Sequence, residues 1–498
     1  MELRLDKLYI PVKLGTEEKY LEIYAAGKKI YEFKIPQGNS EAFSAEEFDY
    51  DYIARIGMKE HLGKTISFEG DFSKGFFEAV EMLNNEKHCC SNLGQNSAND
   101  THMERRPKVH FTPEYGWMND PNGLVYSDGI YHLYYQHNPF NIHWENMSWG
   151  HATSKDMLTW EWHNDVMFPD ENGTIFSGCG ISFEGKLLFP YTIAGGTSPW
   201  SKEKPFCQGL AISEDGGMTL KKQEDLFLGP VGKDSRDPKV FWHEESKAYV
   251  MILYLEENDF GIFRSPDLKE WTQTQRFSVE KAWECPDLLK IPCVNGEDAW
   301  MFWCADGFYY WGSFDGYEFV SDFRQHQAYF GGNLYATQTY SGIEDRVVAI
   351  PWLRFKKRNG KCYQGALGIP KEYTCRRDGD DIVLLQNDIR EFTDKLVPAQ
   401  MKSQCVQFIK SADAVTERTL PMSDVQVIDI DFQRCDFGKI IELDINQNKL
   451  CIDLGEGKLR LGDIVDDIPP NVKKMHMVVD ANILEINFDD SRVGAYVI

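Results

Sequence analysis

The sequence lacks any long hydrophobic run: nowhere do roughly 18 apolar residues follow one another, which excludes a membrane-spanning helix. Positive charge is also scarce, since 53 Lys and Arg stand against 78 Asp and Glu and give a formal net charge of −25. That balance argues against nucleic acid and anionic membrane surfaces as partners.

Two further absences bear on location and metals. The residues from Met1 to Lys7 lack the apolar core of a signal peptide. The 12 cysteines include no Cys-x-x-Cys pair of the kind that indicates a zinc site. In a protein that is not secreted such cysteines are reduced thiols, so the sequence predicts a cytoplasmic protein.

Three short motifs each present one carboxylate three or four residues before an apolar strand. They are Trp117-Met118-Asn119-Asp120-Pro121-Asn122-Gly123, Ser235-Arg236-Asp237-Pro238 and Trp283-Glu284-Cys285-Pro286-Asp287. Each motif alone has a plainer interpretation as a turn or a solvated loop. Three acids presented alike by three units of a closed ring would converge at one end of its axis. Convergent carboxylates are the groups that cleave glycosidic bonds.

A repeat supports such a ring. The turn Ser-x-Asp recurs at residues 154–156, 213–215, 265–267 and 313–315, a spacing near ~50 residues that is typical of propeller blades. Five hairpins are predicted between about 120 and 355, with second runs at 131–135, 187–193, 248–255, 299–304 and 346–351. The sequence therefore predicts an all-β protein with a five-bladed β-propeller; the alternative is a β-sandwich with coincidental turns.

Both flanks have the alternating pattern of β structure but no catalytic grouping. Residues 1–100 are predicted to comprise a small N-terminal β domain, which ends at about residue 82, and most of a polar linker at 84–106. The propeller is expected at 107–372. Alternating strands at 425–432, 439–445, 476–479 and 483–488 predict a C-terminal β-sandwich over 376–498.

The chemistry of a retaining glycosidase suggests a role for each acid. Asp120 lies in a Pro/Gly/Asn turn whose backbone N–H groups could keep a nucleophile ionised. Glu284, between Trp283 and Cys285, is expected to be buried against apolar groups and so to act as acid/base. Asp237 is expected to be held anionic by the adjacent Arg236 and to grip sugar hydroxyls.

With these motifs the sequence resembles the β-fructosidases of glycoside hydrolase family 32, which include invertases, inulinases, levanases and sucrose-phosphate hydrolases. The similarity runs from about Val109 to Glu372 and includes further segments. They are YHLYYQHNP at 131–139, WGHA at 149–152, FSG at 176–178 and GALGIPKE at 365–372.

The resemblance implies a retaining double displacement at a terminal β-fructofuranosyl unit, without metal or cofactor. It assigns Asp120 as nucleophile, Glu284 as acid/base and Asp237 as transition-state stabiliser. It also implies fructose contacts from Asn119, Gln136, Trp144, Phe176, Ser177 and Arg236. Tyr335 is added as a candidate substrate contact, although the segment Gly332-Asn333-Leu334-Tyr335-Ala336 departs from the family pattern on the leaving-group side.

Several alternatives stay open at this level. A fructosyltransferase would use the same scaffold, a fructan-binding lectin would lack catalysis, and an inverting pentose-directed propeller hydrolase would also carry three acids. The expected substrate is sucrose or a short fructo-oligosaccharide, and a homo-oligomer is possible. Linkage, chain length and any preference for a phosphorylated sugar are not determined by these motifs.

Overall fold

The computed structural model describes residues 1–85, 106–398, 415–421, 423–434 and 440–498. Strands hold 52% of the residues and helices 5%, so the predicted all-β class is confirmed. Most of the predicted linker at 84–106 lies outside the described residues. Among the described residues no helix is both long enough and apolar enough to cross a membrane.

The N-terminal unit contains two small sheets and one helix that the sequence analysis missed. Its strands are β1 (Lys7–Val12), β2 (Glu18–Ala25), β3 (Lys28–Pro36), β4 (Tyr52–Gly57) and β5 (Ile66–Glu69). Strand β1 pairs with β4, and β2 lies between β3 and β5. Helix α1 (Lys74–Leu83) begins at Ser73, whose hydroxyl accepts the Phe76 N–H at 3.2 Å. The buried residues of α1 recur at helical spacing. The sequence analysis predicted only strands in this region, from the alternation of apolar and polar residues.

Five antiparallel sheets of four or five strands follow, and most are built from consecutive strands. The first sheet has β6 (Gly116–Ser127), β7 (Ile130–Asn138), β8 (Ser148–Ser154) and β9 (Trp160–Trp162). The second has β10 (Thr174–Gly178), β11 (Ile181–Phe183), β12 (Lys186–Ala194), β13 (Cys207–Ser213) and β14 (Lys221–Lys222). The third has β15 (Arg236–His243), β16 (Ala248–Glu256), β17 (Asp259–Ser265) and β18 (Thr272–Ser278).

The fourth and fifth sheets complete this region. The fourth has β19 (Asp287–Ile291), β20 (Ala299–Trp303), β21 (Phe308–Phe314), β22 (Phe319–Val320) and β23 (His326–Gln327). The fifth uses β24 (Leu334–Thr339), β25 (Val347–Leu353), β27 (Ala366–Leu367), β28 (Lys371–Asp378) and β29 (Asp381–Asp388), while β26 (Tyr363–Gln364) runs parallel to β6 in the first sheet. A segment from the fifth part of this region thus pairs with the first strand, β6.

The predicted hairpins and turns are found in this region. All five hairpins pair antiparallel, as β6–β7, β11–β12, β15–β16, β19–β20 and β24–β25. In the first three sheets the Ser-x-Asp turn ends the next-to-last strand of the sheet path, where the serine hydroxyl bonds to the aspartate. The fifth sheet ends at Asp388, so the predicted boundary at 372–376 falls inside it, because β28 and β29 pair with each other and with β25.

Two further sheets make up the C-terminal part. One has six strands, β30 (Val397–Pro398), β31 (Val415–Thr419), β32 (Gln426–Asp431), β37 (Lys474–Asp480), β38 (Ile483–Phe488) and β39 (Arg492–Val497). The other has four, β33 (Ile440–Ile445), β34 (Asn448–Asp453), β35 (Lys458–Leu461) and β36 (Ile464–Asp467). A single apolar cluster takes side chains from both sheets. The four strands predicted here are confirmed. Short helix α2 (Arg390–Thr393) precedes this part.

A buried network of charges joins the fifth sheet to the six-stranded sheet. Lys371 pairs with Glu485 at 2.6 Å, and the His110 imidazole lies 3.0 Å from Asp480 and 3.4 Å from Glu485. Burial alone would lower the pKa of His110, but its hydrogen bonds to Asp480 and Glu485 raise that pKa to about 9. Because each buried charge here has a partner, the network fixes how the two parts meet.

Candidate active site

Asp120 lies within strand β6, not in the tight turn that the sequence predicted. The strand accommodates Pro121 and Gly123 through two irregularities in its pairing with β7. Gly123 has φ +55°, and a Cβ there would lie 2.6 Å from the Tyr134 ring, so the close packing of this strand requires glycine. The turn-forming residues therefore shape a bulged strand that presents Asp120.

The Asp120 carboxylate is held by side chains, whereas the sequence had suggested backbone N–H groups. Ser177 donates its hydroxyl to Oδ2 at 2.6 Å, and Asn119 donates its amide to Oδ1 at 3.0 Å. The Cys285 thiol lies 3.6 Å from Oδ2. Burial raises the pKa of Asp120, and the hydrogen bonds from Ser177 and Asn119 act against that increase.

Asp237 occupies a left-handed position, φ +63°, at the start of β15. Its N–H donates to Thr192 Oγ1 at 2.9 Å, and its carboxylate accepts the Cys285 N–H at 3.0 Å. Burial raises the pKa of Asp237 to about 7; Arg236 lowers it, while Asp120 and Glu284 add to the increase. Arg236 thus acts on Asp237 in the predicted direction, but burial and two neighbouring carboxylates have the larger effect on its pKa.

Among the three site acids, Glu284 is the one whose carboxylate Arg236 contacts directly. Arg236 Nη2 donates to Glu284 Oε1 at 2.9 Å, and the Tyr335 hydroxyl donates to Oε2. The expected burial of Glu284 against Trp283 and Cys285 is not found, because 31% of its side chain and 41% of Trp283 are exposed. Glu284 and Cys285 both have positive φ, +55° and +43°, so the chain turns sharply and the two side chains reach different partners.

Cys285 links the three acids. Its thiol lies 3.6 Å from Asp120 Oδ2 and 3.6 Å from Asp237 Oδ2, and Glu284 directly precedes it. The convergence predicted from the repeat is thus present in the structure. The first strands of the five sheets, or the residues just before them, all contribute, through Asp120, Ser177, Asp237, Glu284 and Tyr335.

Most of the predicted substrate contacts surround this cluster. Asn119 and Ser177 bind Asp120, as described above, and Arg236 and Tyr335 bind Glu284. Phe176, adjacent to Ser177, meets the Trp144 ring edge to face at a centroid distance of 5.9 Å. Trp144 is about half exposed.

Gln136 lies beside the cluster, buried in β7. When the Asn122 amide is oriented to satisfy its neighbours, its oxygen accepts Gln136 Nε2 at 3.1 Å. Gln136 Oε1 has no hydrogen-bond partner among the described residues. That oxygen is a buried acceptor without a protein donor, which in a native structure calls for an explanation.

Comparison with known proteins places this arrangement in a family. Residues 110–387 match the family model "Glycosyl hydrolases family 32 N-terminal domain". The chain belongs to glycoside hydrolase family 32. The match ends one residue before the end of the fifth sheet, and it contains all three acids.

Individual members of family 32 are similar over part of their length. A levanase of Bacillus subtilis (strain 168) is 33% identical over 328 residues, which are 57% of this chain and 47% of that protein. An extracellular exo-inulinase of Meyerozyma guilliermondii is 36% identical over 279 residues, covering 50% of this chain and 54% of that protein. The chain spans about half the length of the curated relatives it matches.

Solved structures extend the likeness beyond the matched domain. The β-fructofuranosidase of Schwanniomyces occidentalis complexed with fructosyl-erythritol has a TM-score of 0.65 and 25% identity, and covers 80% of this chain and 92% of that protein. An exo-inulinase of Aspergillus awamori has a TM-score of 0.68 at 22% identity, a likeness of fold.

Two charged residues beside this family 32 site were not predicted. Arg354 lies over the Tyr335 ring, 4.0 Å from its centroid, and its Nη2 is 3.5 Å from Asp306 Oδ1. Burial raises the pKa of Asp306; Arg354 lowers it and the Glu284 charge adds to the increase. No sequence motif marks either residue, because only the meeting of the fourth and fifth sheets brings them to Glu284.

The described residues contain no group of three or more His, Cys, Asp or Glu side chains arranged to hold a metal ion. His132, His151 and His163 lie close together, with His132 Nδ1 3.2 Å from His151 Nε2 and the His151 and His163 ring centroids 4.9 Å apart. Burial lowers the pKa of His132 to about 4. These rings pack within the first sheet.

Proposed function

We propose that this protein is a β-fructofuranosidase that releases terminal β-D-fructofuranosyl units from sucrose or short fructo-oligosaccharides with retention of configuration. The convergence of Asp120, Asp237 and Glu284 around Cys285 carries the proposal. The named activities of the levanase, invertase and exo-inulinase relatives, and the fructosyl ligand of the Schwanniomyces structure, support the choice of substrate.

In the first step Asp120 attacks the anomeric carbon, and Glu284 gives its proton to the departing glycosidic oxygen. The bond from the anomeric carbon to the leaving sugar breaks as the bond to the Asp120 carboxylate forms. In the second step Glu284 removes a proton from water, the resulting oxygen attacks the same carbon, and Asp120 leaves as a carboxylate. Asp237 bonds to fructose hydroxyls, and these bonds strengthen as positive charge develops on the ring.

Arg236 and Tyr335 orient the acid/base in this scheme. Both donate to Glu284, one to each carboxyl oxygen, and so fix the direction in which its proton is delivered. Arg354 and Asp306, beyond Tyr335, are proposed to line the path of the leaving group. Asn119, Gln136, Trp144, Phe176 and Ser177 are proposed to hold the fructosyl unit.

The five sheets are proposed to be the blades of a five-bladed β-propeller. Support comes from the pairing of β26 with β6, from contacts of β10 with both β6 and β15, and from contact of β24 with β6. The two C-terminal sheets, which share one apolar cluster, are proposed to form a β-sandwich. We propose an N-terminal domain within 1–100, a catalytic domain from 107 to about 388 and a C-terminal domain after it.

The test is product analysis on sucrose, 1-kestose, inulin, levan and sucrose 6-phosphate. Fructose should accumulate, NMR should show the β-anomer first, and Asp120→Asn and Glu284→Gln should each lower kcat by several orders of magnitude in folded protein. Initial inversion, or an Asp120→Asn variant that keeps more than about a tenth of the rate, would refute the assignment. Longer oligosaccharides in place of fructose would identify a fructosyltransferase, and binding without turnover a lectin.

A cytoplasmic location and a homo-oligomeric state are further proposals. Seven of the cysteines that the structure describes, all but Cys362, are free thiols, in keeping with a reducing compartment. Cell fractionation and light scattering of the purified protein would test these two points.

A further inference from the structure

The loop that carries Trp144 is bound by the N-terminal unit along most of its length. This β7–β8 loop, residues 139–147, has no helix or strand of its own. A free loop of this kind would sample many conformations, and fixing it when substrate binds would cost affinity. The contacts that fix the loop before substrate binds therefore affect the affinity for substrate.

Polar contacts fix both sides of Trp144. Glu18, in β2, accepts the Asn141 amide at 2.7 Å, and the same Oε1 lies 3.0 Å from His143 Nε2. Lys34, in β3, lies 3.1 Å from Glu145 Oε2 and 3.5 Å from Glu18 Oε2. Because the Glu18 side chain is only 14% exposed, these bonds are less screened than a surface pair.

The loop is also held through the backbone of β3. Asn146 accepts the Lys34 N–H and donates to the Lys34 carbonyl, both at 2.8 Å, so its amide pairs with β3 as a neighbouring strand would. At the other end of the loop, Phe140 packs on Phe33 with ring centroids 4.7 Å apart. Side chains of the neighbouring strands β2 and β3, together with the β3 backbone, thus hold the loop.

Trp144 differs from the residues around it. Its side chain is 48% exposed, while the residues on either side bind the N-terminal unit. Its ring stands edge to face on Phe176, which directly precedes Ser177, the donor to Asp120. A continuous series of contacts therefore connects Glu18, through the loop and Phe176, to Ser177 and the proposed nucleophile Asp120.

We propose that Glu18 and Lys34 are positioning residues that hold Trp144 against the bound fructoside, so that the N-terminal unit takes part in substrate recognition. This inference rests on the proposed function. It gives the N-terminal domain a role that the sequence, in which residues 1–100 carry no catalytic motif, did not predict.

The test compares Glu18→Ala with Lys19→Ala in the full-length protein. Lys19 is the next residue along β2, faces the other side of the sheet and pairs with Asp71, so it is a matched control. Glu18→Ala should raise KM for sucrose about tenfold and leave kcat within about twofold, because a looser loop weakens binding without touching the acids. Lys19→Ala should leave both constants unchanged.

A double-mutant cycle separates positioning from general destabilisation. In a Trp144→Ala background, Glu18→Ala should have no further effect on KM, because there is no indole left to position. An equal rise in KM with and without Trp144, or no rise in folded Glu18→Ala protein, would overturn the inference.

Hydrogen exchange gives a measurement that does not depend on turnover. Peptides covering 139–147 should exchange faster in Glu18→Ala than in wild type, and at the wild-type rate in Lys19→Ala. Unchanged exchange in Glu18→Ala would overturn the inference even in an active enzyme. If wild-type protein acts on no fructoside, the proposed function fails and the role of Glu18 in substrate recognition fails with it. Faster exchange of the loop in Glu18→Ala would still establish that Glu18 fixes the loop.

Discussion

Replacing Ser177 with alanine should shift the acidic limb of the pH profile to higher pH. Ser177 donates to Asp120 at 2.6 Å and so stabilises the ionised carboxylate, the form that attacks. A hydrogen bond to a charged group contributes about 1.5–3 kcal/mol, and one pKa unit corresponds to about 1.36 kcal/mol. Losing it should therefore raise the pKa of Asp120 by about one to two units. At pH values well below the acidic limb, kcat/KM of Ser177→Ala should be about 10- to 100-fold lower than that of wild type, and at pH values above the limb the loss should be smaller.

The assay is initial rate on sucrose across the pH range, with the fold of each variant checked by circular dichroism. Ser341→Ala is a suitable control, because its hydroxyl donates to the Gly180 carbonyl at 2.6 Å and contacts none of the acids. That variant should keep the wild-type limb even if it is less stable. A limb in Ser177→Ala that stays in place, or moves to lower pH, would refute the argument that this hydroxyl keeps Asp120 ionised.

Two further predictions concern the acid/base and the charge network. Tyr335→Phe removes one of the two donors to Glu284 but keeps the ring under Arg354. Steady-state kinetics on sucrose should therefore show kcat lower by about tenfold and KM little changed. An unchanged kcat would exclude the orienting role of the Tyr335 hydroxyl. The raised pKa of His110, about 9 in the folded protein, favours the protonated form, so its contribution to stability is complete below about pH 6.5 and is lost as the pH rises through 9. The free energy of unfolding, measured with urea from pH 6 to 10, should show this decline, and the decline should be shallower in His110→Asn. The same dependence of stability on pH in both proteins would contradict the raised pKa of His110.

Local pattern and repetition were sufficient to predict the hairpins and the meeting of the acids. Each hairpin alternates around its own turn, and the three motifs keep the same distance to a following strand, so a repeating architecture brings Asp120, Asp237 and Glu284 together. In the first three sheets the Ser-x-Asp turns proved to follow the next-to-last strand.

The details that were not predicted depend on neighbours distant in sequence. Pro121 and Gly123 indicate a turn by composition, but pairing with β7 on one side absorbs them into a bulged strand. Arg236 adjoins Asp237 in sequence and yet bonds to Glu284, because the fourth sheet brings that acid within 2.9 Å. The partners of the Trp144 loop lie more than a hundred residues earlier in the chain, where no motif marks them.

Different hydrogen-bond donors explain how two neighbouring aspartates, Asp120 and Asp237, can serve different roles. Asp120 and Asp237 face each other across the Cys285 thiol, and burial raises the pKa of both. Asp120 has two side-chain donors that oppose this increase, whereas Asp237 accepts the Cys285 N–H and its pKa rises to about 7. The donors Ser177 and Asn119 thus favour the ionised form of Asp120, which the proposed nucleophile requires. The hydroxyl donors of a bound fructosyl unit would favour the ionised form of Asp237 in the same way.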